Sequence, residues 1–256
     1  MKTEKEGQIE KLFKKLSRKV GKTIRDQALI VEGDRVLVGL SGGKDSMVML
    51  QCIADRKKSF PFPFKLYVAH IIPESTGYSV NINLLEDFCN NLGLELIVRK
   101  IKIEPDERGK SICFVCSWHR RKALFDLTRE LDCNKLAFGH HRDDALQTFL
   151  MNMLYHGSIS SLPYSLKLFE GRVHMIRPML DLWEKDIQQL SDLENFGAVE
   201  KTCTHEDLTK RFYTSELLKK IESEYPNAKI NMFHALDNIY GEYLPTVKKK
   251  SNKDTR

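Results

Sequence analysis

A chain of 256 residues, 41% of them hydrophobic, carries enough apolar material for one sizeable core with small additions at its ends. No stretch approaches the ~20 consecutive apolar residues of a membrane span, and Met1–Glu6 is charged with no apolar signal core behind it. A cytoplasmic protein with no membrane partner is therefore expected, one in which close cysteine pairs bind metal or do redox chemistry more often than they form disulfides.

The net charge of +6 belongs to the two ends. Residues 1–30 hold nine Lys/Arg against four Asp/Glu, residues 245–256 hold five against one, and the stretch between is slightly acidic. In the first segment Ile9, Leu12, Phe13, Leu16, Val20 and Ile24 recur at helical spacing, while Lys11, Lys15, Arg18, Lys22 and Arg25 form a stripe on another side. This predicts an amphipathic helix with a basic face, which by itself is only a solvated surface and becomes a binding surface if the partner is a nucleic acid.

An apolar run, Asp34–Leu40, then leads through Ser41-Gly-Gly-Lys-Asp-Ser46 into the helix-like Met47–Cys52. Glycines between a strand and a helix let backbone N–H groups approach an anion, and the helix N-terminus adds partial positive charge, so the loop suits a phosphate. It is not the common nucleotide loop, because the G-x-x-x-x-G-K-[ST] spacing is absent and Asp45 separates the lysine from the serine. Phe64–Ile72 reads as a second strand, and Asn81–Leu92 as a helix closed by Gly93. Leu94–Ile103 reads as a third strand, residues 118–131 as a helix after a polar loop and the cysteine pair, and Lys135–Phe138 as a fourth strand. That alternation predicts a doubly wound, mostly parallel α/β sheet. The fourth strand runs into Gly139-His-His-Arg-Asp-Asp144, where Asp143 or Asp144 is expected to be the N-cap of the next helix. Ligands of such sheets bind beyond the C-terminal strand ends, so both loops can face one nucleotide.

Cys113-Phe-Val-Cys116 places two thiols within reach of one metal, followed by cationic residues that favour thiolates. Cys203 is the best candidate third ligand, whereas Cys52, Cys89 and Cys133 lie in apolar patterns and read as buried side chains. Three cysteines leave a metal position open; zinc completed by His205 and a redox pair are the rival readings.

Ser41–Ser46 resembles the PP-loop of the N-type ATP pyrophosphatases, which adenylate a carbonyl oxygen. Together with Cys113-x-x-Cys116, Arg120-Arg121, Gly139–Asp144 and Leu146–Tyr155, it is similar to the TtcA family, which makes 2-thiocytidine in tRNA. The likeness spans roughly residues 30–205 and departs from the family in having Cys203 alone where a second C-x-x-C is usual. The basic amphipathic helix read from its spacing occupies residues 1–30, and the resemblance implies an adenine nucleotide alpha hydrolase-like fold, the PP-loop domain with its cysteine insertion, over 31–200. A helical region carrying the third cysteine follows over 201–244, and a basic disordered tail over 245–256. It implies ATP on Ser41, Gly42, Gly43, Lys44, Asp45, Ser46, His70, Gly139 and Asp144, with Lys44, Asp45 and Asp144 catalytic and Asp45 on magnesium. It further implies a 4Fe-4S cluster on Cys113, Cys116 and Cys203, and tRNA against Lys15, Arg18, Lys22, Trp118, Arg120 and Arg121. In that scheme the C2 oxygen of cytidine 32 takes AMP, and sulfur from a cysteine desulfurase or sulfide, delivered through the cluster, replaces it; homodimerisation is left open. A lysidine synthetase would need no such cysteines, and a 2-thiouridine synthetase typically carries terminal zinc fingers that neither end provides. A non-catalytic ATP- and cluster-binding module would keep both motifs without turnover.

Overall fold

A computed structural model of the chain describes residues 4–74, 78, 80–103, 112–196 and 210–244. Helix α1 (Glu4–Asp26) comes first, with acids in its first turn and Arg25 in its last, the order that suits the helix dipole. Then follow β1 (Arg35–Gly39), α2 (Lys44–Lys57), β2 (Lys65–Pro73), α3 (Ile82–Asn91), β3 (Leu96–Ile101), α4 (Ile112–Glu130), β4 (Lys135–Ala137) and α5 (Arg142–His156). The chain continues through β5 (Ser165–Leu168), β6 (Val173–Ile176), α6 (Glu184–Glu194), α7 (Lys210–Glu224) and α8 (Ala228–Ala235). The six strands form one sheet in the order β3-β2-β1-β4-β6-β5, parallel except for β5, which runs antiparallel along β6. The chain leaves β1 for β2 on one side and later places β4 on the other, so the strand order reverses between β1 and β4. That is where a doubly wound sheet opens a crevice.

Both faces of the sheet are covered, as parallel strands require. Residues of β1 alternate between them: Val36 and Val38 join Leu16, Val20, Ile24, Met49, Leu50, Ile53 and Leu190, whereas Leu37 packs with Leu124, Leu127 and Leu136. Helices α1, α2 and α6 thus share one side, and α4 lies on the other. A third cluster joins α5 to α7 and α8 through Leu146, Leu150, Leu218 and Phe233. Asp181 ties these parts together by accepting hydrogen bonds from Thr23 of α1 at 2.6 Å, Tyr164 at 2.9 Å and Arg142 of α5 at 3.3 Å.

Three details differ from the sequence reading. Helix α4 begins at Ile112, so the cysteine pair lies inside the helix; residues 112–130 contain no glycine or proline to delay it. Strands β5 and β6 are only four residues each, and β5 is an edge strand with three of its four residues exposed. The N-cap of α5 is His141 and not an aspartate: its backbone is extended at φ −122° and its N–H donates to Asp144 Oδ2 at 3.1 Å. Both acids fall in the first turn, where carboxylates answer the helix dipole from within. Among the described residues no helix is long and apolar enough to cross a membrane.

Because Ile24 is fully buried in the principal core, α1 is part of the folding unit. Ile24→Ala is expected to cost about 2–5 kcal/mol in urea denaturation, against less than about 0.5 kcal/mol for Lys11→Ala on the exposed side. Equal, small losses would place α1 outside the core.

Candidate nucleotide site

The loop after β1 is held in shape by its own side chains. Ser46 Oγ accepts from Ser41 N at 3.1 Å and donates to Gly43 O at 2.9 Å, while Ser41 Oγ accepts from Gly43 N at 3.3 Å. Gly42 has φ +79°, a conformation L side chains rarely adopt, which explains a glycine there. Helix α2 starts at Lys44, so the N–H groups of its first turn face the loop's mouth with no intrahelical partner. Tyr78 closes one flank by donating its hydroxyl to Ser41 O at 2.7 Å.

The second loop packs directly on the first. A Cβ on Gly139 would lie 2.9 Å from the carbonyl carbon and oxygen of Asp45, closer than side chains tolerate, so only glycine permits this approach. His141, 4% exposed, stands among three acids: Nε2 is 3.7 Å from Asp45 and 3.4 Å from Asp144, and Nδ1 is 3.7 Å from Asp143. Asp143 Oδ2 accepts from Glu184 N at 2.9 Å, and Glu184 Oε1 accepts from Lys44 Nζ at 3.0 Å. Lys44 lies 3.5 Å from Asp45, which closes a circuit through α2, α5 and α6. Lys229 of α8 donates to Asp143 at 3.0 Å, and Arg211 of α7 lies 3.6 Å from Asp144.

The electrostatics follow from burial and these partners. Burial raises the Asp45 carboxyl above its ordinary range, against the pull of His141 and Lys44. Burial works against the Lys44 ammonium, yet Asp45 and Glu184 hold it above its usual value. Burial lowers His140 to about 4 and, with Arg120 nearby, lowers His70 as well. His70 Nδ1 donates to Leu40 O at 2.7 Å, leaving Nε2 as an acceptor. Four polar atoms around the two loops are shielded from solvent and have no hydrogen-bond partner among the described residues: Asp45 Oδ1, His70 Nε2, His140 Nδ1 and His141 Nδ1. Leaving such atoms unmade costs about 1–3 kcal/mol each, so their clustering marks a place for a ligand.

The structure therefore gathers Ser41, Gly42, Gly43, Lys44, Asp45, Ser46, His70, Gly139 and Asp144 into one crevice. Glu184, Lys229, Tyr78 and Arg211 were not apparent from sequence, since each reaches the site from an element whose place is set by the tertiary fold. Cys116 is half-buried in the first turns of α4, three positions after Cys113. The Cys113 side chain and the whole of Cys203 lie outside the described residues. Cys52, Cys89 and Cys133 are buried, and burial pushes the last two thiols up to about 11, which suits inert packing groups. Arg120, one turn after Cys116, lies over the Tyr78 ring at 4.8 Å, linking the cysteine helix to the first loop.

The residues expected to meet tRNA are not gathered on one surface. Lys15, Arg18 and Lys22 belong to α1, and Trp118, Arg120 and Arg121 to α4, on opposite faces of the sheet. Lys15 pairs with Asp186 at 3.2 Å, and Lys22 with Asp26. Trp118 is 48% exposed and carries the Lys122 ammonium 5.8 Å above its ring, so it is not a core residue.

Two tests address this geometry. Asp45 is harder to ionise folded than unfolded, so its ionisation opposes folding, an effect absent below the unfolded pKa and complete above the folded one. Asp45→Asn is expected to melt above the parent protein at pH 7, with the gap closing as the pH falls towards the unfolded value of 3.8; a lower melting temperature at pH 7 would contradict the assignment. Gly139→Ala must displace the Asp45 backbone, and calorimetry is expected to show roughly tenfold or weaker ATP binding. Unchanged affinity would mean that the two loops do not share the ligand.

Residues 3–219 match the PP-loop domain family. The chain is 34% identical to a tRNA-cytidine(32) 2-sulfurtransferase of Polaromonas naphthalenivorans, over 100% of this chain and 82% of that protein. It is 36% identical to one of Klebsiella pneumoniae (93% and 78% covered) and 35% identical to one of Pelobacter propionicus (91% and 88%). Among solved structures it is similar to the U34-tRNA thiolase NcsA of Methanococcus maripaludis, determined with its [4Fe-4S] cluster. That match has a TM-score of 0.75 at 26% identity and covers 94% of this chain and 82% of that one. A glycine-tight phosphate loop at the strand reversal, faced by a second acidic loop, accords with these matches: the chain belongs to the PP-loop family and, within it, to the tRNA-cytidine(32) 2-sulfurtransferases.

Proposed function

We propose that the protein is a cytoplasmic, ATP-dependent tRNA sulfurtransferase that converts cytidine 32 to 2-thiocytidine. The observation that carries this reading is the crevice itself: two loops locked together at the sheet's reversal, with four sheltered polar atoms awaiting partners. Backbone N–H groups of Gly42, Lys44, Asp45 and Ser46 and the Lys44 ammonium hold the β- and γ-phosphates, while Asp45 and Asp144 take the accompanying magnesium. Lys44 is held to its place by Glu184 and Asp45, so its charge is preorganised for the pyrophosphate that forms. The C2 oxygen of the cytidine attacks the α-phosphorus, the bond to the β-phosphate oxygen breaks, and pyrophosphate leaves. C2 then carries AMP as its leaving group and can accept a sulfur nucleophile.

The cysteine set fits an iron–sulfur group on the part that is described. Cys116 lies in the second turn of α4, three positions after 113, a spacing that puts two residues on one face of a helix. Cys113, Cys116 and Cys203 would hold a 4Fe-4S cluster, which when bound supplies sulfur drawn from sulfide or a cysteine desulfurase. Arg120, stacked on Tyr78 beside the first loop, sets the helix that carries Cys116 against the nucleotide crevice.

Mass spectrometry of tRNA nucleosides from cells lacking the gene is expected to show loss of 2-thiocytidine; its retention, or loss of 2-thiouridine or lysidine instead, would overturn the assignment. In vitro, Lys44→Ala should reduce AMP and pyrophosphate release with tRNA by roughly 10²–10³-fold. Cys116→Ala should retain ATP binding and lose thiolation.

A further inference from the structure

Helix α7 opens with Lys210-Arg-Phe-Tyr213 and packs across α5. Tyr155 at the end of α5, and Phe212 and Tyr213 on α7, keep 42%, 47% and 55% of their surface exposed. The Phe212 and Tyr213 rings meet edge to face at 6.0 Å, and the Lys210 ammonium lies 4.6 Å from the Tyr155 centroid. Half-exposed Arg211 reaches Asp144 at 3.6 Å, so the patch begins at an acid of the nucleotide crevice. Exposed rings interleaved with cations match the chemistry of unpaired nucleotides, whose bases stack on aromatic faces while their phosphates meet ammonium and guanidinium groups. A purely apolar partner would leave Lys210 and Arg211 to be desolvated, and a duplex backbone would have no use for the rings.

We infer that the start of α7 and the end of α5 form a stacking platform for the unpaired bases of the tRNA loop that presents the target nucleotide. This rests on the tRNA reading above and adds to it where the loop is held. Arg211 joins the platform to Asp144, and through Asp144 to His141 and Asp45.

The test is fluorescence anisotropy on the full chain, using a labelled anticodon stem–loop RNA and the same stem closed as a duplex without a loop. Tyr213→Ala and Tyr155→Ala are each expected to weaken loop binding roughly 5- to 150-fold, the range of one lost base–aromatic stack, and to leave duplex and ATP affinities unchanged. Tyr213→Trp, which keeps a stacking face, should retain loop affinity. The platform is overturned if both alanine variants bind the loop as the parent does, if they lose loop and duplex affinity equally, or if they change only the elution volume of the protein, the mark of a protein–protein contact. If the parent itself binds neither RNA, the tRNA reading fails and the platform with it.

Discussion

A closed circuit of polar contacts, running from Lys44 to Asp45, His141, Asp143, the backbone N–H of Glu184 and back through the Glu184 carboxylate, holds the site together. It spans three helices, with Lys44 and Glu184 140 positions apart in the sequence, and it joins the first loop to the second. Around it, Lys229 answers Asp143 and Arg211 answers Asp144, so four acids meet three cations. Asp45 is the acid left with an oxygen that no hydrogen bond satisfies. In a low-dielectric crevice that imbalance is costly, and the proposed magnesium would relieve it.

Much of this was legible in the sequence because it is local. A glycine-rich turn between an apolar strand and a helix announces its phosphate without any tertiary knowledge, and the alternation of strand and helix patterns up to residue 140 was enough to expect a parallel sheet. Gly42 and Gly139 were visible as residues, but their reasons were not: one needs a positive φ, the other a neighbouring backbone 2.9 Å from a missing Cβ. Glu184 and Lys229 were illegible, since nothing near either says which loop it will meet. Strand β5 escaped because the alternation of Ser165-Leu-Lys-Leu168 lasts only four residues, too short to stand out from a loop. The N-cap of α5 was misplaced by one turn's logic: aspartate suits a cap, but it equally suits the turn that follows.

The cysteine helix and the nucleotide loop lie on different elements, and Tyr78 joins them by hydrogen-bonding Ser41 while lying under Arg120. A hydroxyl at the edge of the ring and a guanidinium over its face make the loop's shape depend on where α4 sits. In the proposed two-step reaction such a joint would keep the nucleotide loop and the cysteine helix in register.

The burial of α1 has a consequence for how the chain is made. Its apolar side packs on α2, close by in sequence, but also on α6, and it hydrogen-bonds Asp181, 158 residues downstream of Thr23. During synthesis, the contacts of the first helix with α6 and Asp181 can therefore form only after most of the chain has left the ribosome. Until then the charged outer side of α1 is the part of the helix already suited to water, and its apolar side is the part that waits for cover.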